Sequence, residues 1–113
     1  MISGIVVHGE GLGRGLGYPT ANLNISPKDT KCKDGVYAAK AFLQNKEYKA
    51  ALIIQEQVKK VEVHLFDYHE SDFYGLYLEV EPIQKVSEIE GYAGEEQLKK
   101  KIEKDIQLIQ EIF

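Results

Sequence analysis

Residues 60–67 read Lys60-Val61-Glu62-Val63-His64-Leu65-Phe66-Asp67, and this octet decides the fold. Val61, Val63 and Leu65 alternate with Glu62, His64 and Phe66, which is the period of two that a β-strand imposes on its faces. Residues 76–83 repeat the pattern, with Leu76, Leu78 and Val80 on one side and Tyr77, Glu79 and Glu81 on the other. Upstream, 36–43 and 48–55 are apolar runs that flank Gln44-Asn45-Lys46, the spacing of a hairpin. Residues 3–8 form a short β-branched run, and 21–25 read as another short strand stopped by Ser26-Pro27. The stretch 27–34 is polar and turn-like, Asp34-Gly35 is a turn signal, and 68–74 reads as a polar loop closed by Gly75. About six strands joined by short turns, with no helix between them, predict a mainly β chain: an antiparallel sheet or a small closed barrel.

The period changes after Gly94. Leu98, Ile102, Ile106, Ile109 and Phe113 recur at spacings of four, four, three and four, which predicts a C-terminal amphipathic helix of roughly five turns. Glu95 and Glu96 fall in its first turn, where the helix dipole favours negative charge. Its apolar stripe is expected to close one side of the barrel. The Lys99-Lys100-Lys101 run, followed by Glu103, reads as a solvated face.

Between the first two strands lies GEGLGRGLGYPTAN, residues 9–22. Glycines at Gly9, Gly11, Gly13, Gly15 and Gly17 leave alternate positions without side chains, so this stretch cannot pack a core. It can bring backbone N–H groups close to phosphate oxygens, and Arg14 adds a positive charge. Pro19 fixes the approach to Thr20 by locking its own φ. Thr20 and Asn22 supply neutral oxygens two residues apart, the hard donor type Mg²⁺ accepts while keeping most of its waters. Neither common phosphate-loop motif is present: no Lys-Ser or Lys-Thr follows the glycines, and Tyr18 stands where G-x-G-x-x-G needs its third glycine. The ordinary alternative for a Gly-rich segment is a flexible surface loop.

The 113 residues make one expected domain, with a formal net charge of −4 and a pI near 5.4. No basic stripe interleaved with aromatic residues is available to a phosphate backbone, which argues against nucleic acid as a partner. Cys32 is the only cysteine, so an intramolecular disulfide is excluded, and a lone cysteine without ligand-spaced neighbours argues against a zinc site. The first ten residues lack the basic and apolar regions of a signal peptide, and no apolar run reaches membrane-spanning length. A cytoplasmic chain without membrane partners is expected.

Glu62 is the residue on which chemistry turns. For an isolated glutamate on a strand, the solvated face of a half-exposed sheet is the ordinary reading. The functional one is a general base within hydrogen-bond reach of a hydroxyl. His64, two residues on and on the same face, either orients Glu62, lines a pocket, or is simply packed. His8 and His69 lack partners that suggest metal ligation, and Asp67 and Asp72 read as turn residues. Tyr74 and Tyr77, flanking Gly75, are candidates to stack a ring, though ordinary packing is the default.

In combination the motifs are specific. GIVVHGEGLGRGLGYPTANL, DGVYAA, VEVHLFD, DFYGLYLEV and EQLKKKIEKDI, in that order over nearly the whole chain, resemble the riboflavin kinase domain. That module stands alone in eukaryotes and forms the C-terminal half of bacterial bifunctional FAD synthetases. The resemblance implies a six-stranded antiparallel Greek-key barrel with a C-terminal helix, converting riboflavin and ATP to FMN and ADP with Mg²⁺. It places nucleotide at Gly9, Gly11, Gly13, Arg14, Gly15, Gly17, Thr20 and Asn22, with Thr20 and Asn22 also serving the metal. It makes Glu62 the base for the ribityl 5′-hydroxyl, and it puts His64, Tyr74, Gln84 and Tyr92 on the flavin side. Two departures stand out: residues 55–60 replace a longer loop, and Gln84 stands where the family tends to carry arginine, followed by a polar linker over 85–91. They favour an alternative, a degenerate flavin- or nucleotide-binding module without catalysis. An oligonucleotide-binding barrel would suit the strand count but not the acidic charge.

Overall fold

Alternation of small and branched apolar residues produces six antiparallel strands that close on themselves in a computed structural model of the chain. The structure describes residues 1–7, 20–68, 73–89 and 95–113, with backbone alone at 20 and 95–99. The strands are β1 (Ile2–Val7), β2 (Thr20–Leu23), β3 (Gly35–Leu43), β4 (Lys46–Gln55), β5 (Lys60–Leu65) and β6 (Tyr77–Ser87), followed by helix α1 (Glu95–Ile112). Their order around the barrel is β1-β2-β5-β4-β3-β6, with β6 returning to β1. Three consecutive strands, β3 to β5, form a meander, and β2 lies beside β5, which is Greek-key order. The predicted six-stranded barrel with a C-terminal helix is the observed architecture.

Local chemistry explains the corners. Gln44 (φ 49°) and Asn45 (φ 68°) are both left-handed, as a two-residue type I′ hairpin turn requires, so β3 and β4 run into the turn over nine paired residues. Before β3, Pro27–Thr30 form a single 3₁₀ turn rather than an open loop. Ser26 caps it: the Ser26 hydroxyl accepts from the Lys28 N–H, and the Asp29 carboxylate accepts from the Ser26 N–H. Gly35 opens β3 at φ +153°, where a Cβ would press on the Lys85 side chain. Against β6, β3 shifts register at Val36/Tyr37 and at Ala38/Ala39, and Pro82 stands opposite Ala39 beside the second shift. A residue without an N–H is tolerated at such a bulge. These irregularities let β6 run to Ser87, so the expected polar linker is shorter: residues 85–87 are strand.

Inward-facing side chains fill the barrel. Val61, Val63 and Leu65 of β5 meet Leu52 and Ile54 of β4 and Leu78 and Val80 of β6, all essentially without solvent contact. Burying each of these side chains stabilises by about 1.5–3 kcal/mol. Alanines at 39, 41 and 50 keep the bore narrow enough to be filled. The expected polar loop after β5 is anchored by buried aromatics instead: Tyr68 stacks on Phe73 with ring centroids 5.3 Å apart, and Tyr48 meets Tyr68 edge-on at 5.5 Å. Gly75 then donates to the Val6 carbonyl (2.8 Å), which ties that segment to the end of β1.

The helix does not close the barrel, which closes through its own strand pairing. Ile106 and Ile109 instead pack on the outer wall, over Val36, Ala38, Ala51 and Phe66, and form a second apolar cluster. Phe66 thus lies under the helix rather than on a solvated face. Nor is the lysine run wholly solvated. Lys101 pairs with buried Asp105 one turn on and donates to the Ser87 hydroxyl (3.0 Å), which donates to Asp105 (2.8 Å). Asp105 adjoins Ile106 in the apolar stripe, and that acidic intrusion was the sequence signal for the contact.

Candidate active site

The outer wall left uncovered by the helix carries the candidate residues. On β5, residues 61, 63 and 65 point inward, which turns Glu62 and His64 outward. On β2, Ala21 and Leu23 point inward and Asn22 outward. The register places Asn22 directly opposite Glu62 and the Thr20 backbone opposite His64. Two residues from each strand, about 40 positions apart in sequence, thereby form one block. Opposite side chains on adjacent antiparallel strands have Cβ atoms about 4.5–5.5 Å apart. The row continues on both sides, Val7 flanking Asn22 and Ile53 flanking Glu62, so an amide and a carboxylate stand between two aliphatic neighbours.

Neither polar group is freely solvated. The Glu62 side chain is 16% exposed and that of His64 only 6%, with His64 Nε2 at 3.9 Å from Glu62 Oε2. Asn22 is buried. That distance is an electrostatic contact rather than a hydrogen bond. The solvated-face expectation for Glu62 therefore fails: the carboxylate is held in a recess of the wall and still reaches solvent.

The remaining candidates are distributed as follows. Tyr74 is half-buried, edge-on to Phe73 at 5.8 Å, near the end of β1 where Gly75 bonds to Val6. The end of β1, the start of β2, the end of β5 and the start of β6 share this end of the barrel. Gln84 is exposed on β6, which stands three strands from β5 in either direction around the barrel. It is therefore not brought together with Glu62. The glycines at 9, 11, 13, 15 and 17, Arg14 and Tyr92 lie outside the described residues. The departure at 55–60 is a tight turn over 56–59, closed by Lys59 N–H to the Glu56 carbonyl (3.1 Å) and held to the base of β3 by Asp34, which accepts from the Glu56 N–H.

The donor set suits a hard cation that needs few protein ligands. Asn22 brings a neutral amide oxygen to β2, two residues after Thr20, and among the described residues no group of three or more His, Cys, Asp or Glu gathers to cage a metal. Mg²⁺ is commonly held this way, by one or two protein oxygens with phosphates and water completing the shell. Among the described residues no helix is long and apolar enough to cross a membrane.

The family profile described as Flavokinase, riboflavin kinase, matches residues 1–113. The chain belongs to the riboflavin kinase family. A bifunctional riboflavin kinase/FMN adenylyltransferase of Buchnera aphidicola is 34% identical over 121 residues, which cover 99% of this chain. The chain spans 38% of that relative's length. The structure of a macrolide-efflux protein from Streptococcus pneumoniae superposes with a TM-score of 0.81 at 28% identity, over 96% of this chain and 37% of that one. The riboflavin kinase of Trypanosoma brucei shares the fold, with a TM-score of 0.69 at 22% identity over 97% of this chain and 76% of that one. The flavokinase match covers the segments that carry Thr20, Asn22, Glu62 and His64, so the outer-wall block lies within the family's domain.

Proposed function

We propose that this chain phosphorylates riboflavin at the ribityl 5′-hydroxyl, with ATP as donor and Mg²⁺ as cofactor, giving FMN and ADP. The observation that carries the reading is the register of β2 on β5, which sets Asn22 against Glu62 on the barrel's outer face. Phosphoryl transfer asks mainly for positioning and charge stabilisation. Glu62 accepts the proton of the 5′-hydroxyl as its oxygen attacks the γ-phosphorus. Its partial burial limits competing water. Asn22 and Thr20 hold the metal and the phosphates at the adjacent strand. Bound there, Mg²⁺ would offset charge on the transferring phosphoryl group. The glycines from Gly9 to Gly17 and Arg14 cover the nucleotide, and Tyr74 and Tyr92 contribute to the flavin side. ATP and riboflavin are the small-molecule partners, and relatives that pair a kinase with an adenylyltransferase make a longer FAD synthetase chain the natural context.

A second reading, a flavin- or nucleotide-binding module without turnover, is favoured by Gln84, a neutral residue on the wall opposite Glu62. Incubation with riboflavin, Mg²⁺ and ATP separates the two. FMN and ADP in equal amounts support the kinase; ligand binding without FMN supports the module.

A further inference from the structure

We infer that His64 is a positioning residue, which sets the place of the Glu62 carboxylate rather than contacting flavin or phosphate itself. The inference rests on the reading of Glu62 as the base. Both side chains leave the same face of β5, and the imidazole is the more deeply buried of the two. Its neighbours explain why it stays there. Across β4 it faces Ala51, whose methyl group leaves room for a ring, and across β2 it faces the Thr20 backbone. Just past the end of β5, Phe66 belongs with Ala51 to the apolar cluster beneath α1. The imidazole is therefore walled in on its apolar side, and its Nε2 lies toward Glu62 Oε2 at 3.9 Å.

Glutamate has three side-chain torsions, and on an open strand it would sample several rotamers. A fixed ring two residues on along the same face removes those that carry the carboxylate along β5 into its place. A modest rotation of the Glu62 side chain would bring its oxygen from 3.9 Å to hydrogen-bond range of Nε2. The ring is a stop and a donor within reach, and it is nearly shut off from solvent. A misplacement of about 1 Å can cost roughly a hundredfold in rate, so a residue with this role shows itself in kcat rather than in KM.

The experiment compares His64→Leu, His64→Gln, Glu62→Gln and the Glu62→Gln/His64→Leu double variant in steady-state kinetics, with crystal structures of the wild type and both His64 variants. His64→Leu should lower kcat by about ten- to hundredfold while both KM values hold within about twofold. His64→Gln, whose amide nitrogen can occupy the place of Nε2, should recover most of the loss. In the Glu62→Gln background the leucine substitution should cost little more, since the group it acts through is gone. In the His64→Leu crystal the Glu62 carboxylate should leave its wild-type position. Multiplicative losses in the double variant, or an unmoved carboxylate, would overturn the inference. Should His64→Leu not fold, His64→Asn replaces it, polar but too short to present a donor at Nε2. If the wild type makes no FMN, the functional reading falls by itself, and the position of Glu62 in the crystals still decides the role of His64.

Discussion

Asn22 and Glu62 face one another across β2 and β5 as directly opposed residues, although 40 positions separate them in the chain. Neither strand alone makes a site. Together they set a neutral oxygen donor beside a carboxylate in a recess of the barrel's outer wall.

Glu62→Gln preserves the shape of the side chain but cannot take a proton. Turnover of riboflavin should fall by roughly 10²–10⁴-fold, with dissociation constants for riboflavin and Mg·ADP close to wild type. A stopped or continuous assay of FMN formation measures the first, and calorimetry the second. Wild-type turnover in this variant would reduce Glu62 to a structural carboxylate.

Asn22→Ala and Thr20→Ala each remove one oxygen on the nucleotide side. Loss of a hydrogen bond to a charged group costs about 1.5–3 kcal/mol, so Mg·ADP should bind roughly ten- to hundredfold more weakly. Titration calorimetry with and without Mg²⁺ checks this, and the difference should shrink when the metal is omitted. Affinity equal to wild type in both variants would remove Thr20 and Asn22 from the site.

Much of this was legible in the sequence, and for a clear reason. Alternation in 60–67 and 76–83 named both the strands and their inward faces, because a filled bore tolerates no polar side chain. Where the outer wall is also covered, alternation stops carrying information. Phe66 and His64 share a face with Glu62, yet Phe66 is buried by α1, and nothing local to β5 announces a helix 40 residues downstream. The extent of β6 was hidden because the polar residues from Lys85 on read as a linker, whereas they continue the pairing with β3 beyond two register shifts that nothing local to β6 announces. Gln84 was put on the flavin side by the resemblance alone, whereas strand order sets it on the wall opposite Glu62.

Asp105→Ala should be among the more destabilising substitutions outside the two apolar cores. Side-chain exposures of 14% for Lys101 and 8% for Asp105 make this a largely desolvated pair, and removing one partner strands the other. Breaking such a pair costs about 3–5 kcal/mol, read as a lower midpoint in urea unfolding. Asp105→Asn, which can still accept from Ser87, should lose less. Equal stability of Asp105→Ala and wild type would mean that the pair is solvated.

Gly35→Ala tests the opening of β3. At φ +153° a side chain is strained, and the new Cβ would lie 3.1 Å from the Ser87 carbonyl as well as against the Lys85 chain. Lysine can move aside; backbone cannot. A loss of about 1–3 kcal/mol is expected, measured by thermal or urea unfolding, without change in Mg·ADP affinity because Gly35 is remote from β2.

The pairing of β2 has a consequence for how the molecule opens. Four residues long, β2 is held by two register pairs to β1 and three to β5, whereas β3 and β4 share nine. Among the described residues the two seams with fewest pairs are therefore those on either side of β2, and both run through Asn22, the second of them pairing it with Glu62. A local fluctuation that parts this seam would dismantle the site while the β3–β4 hairpin and the helix stay folded. Amide hydrogens of 21–23 should exchange ahead of those in 36–42, and activity should be lost at lower denaturant than the bulk of the sheet. If nucleotide binds at β2 as proposed, it would act as the stitch that slows both.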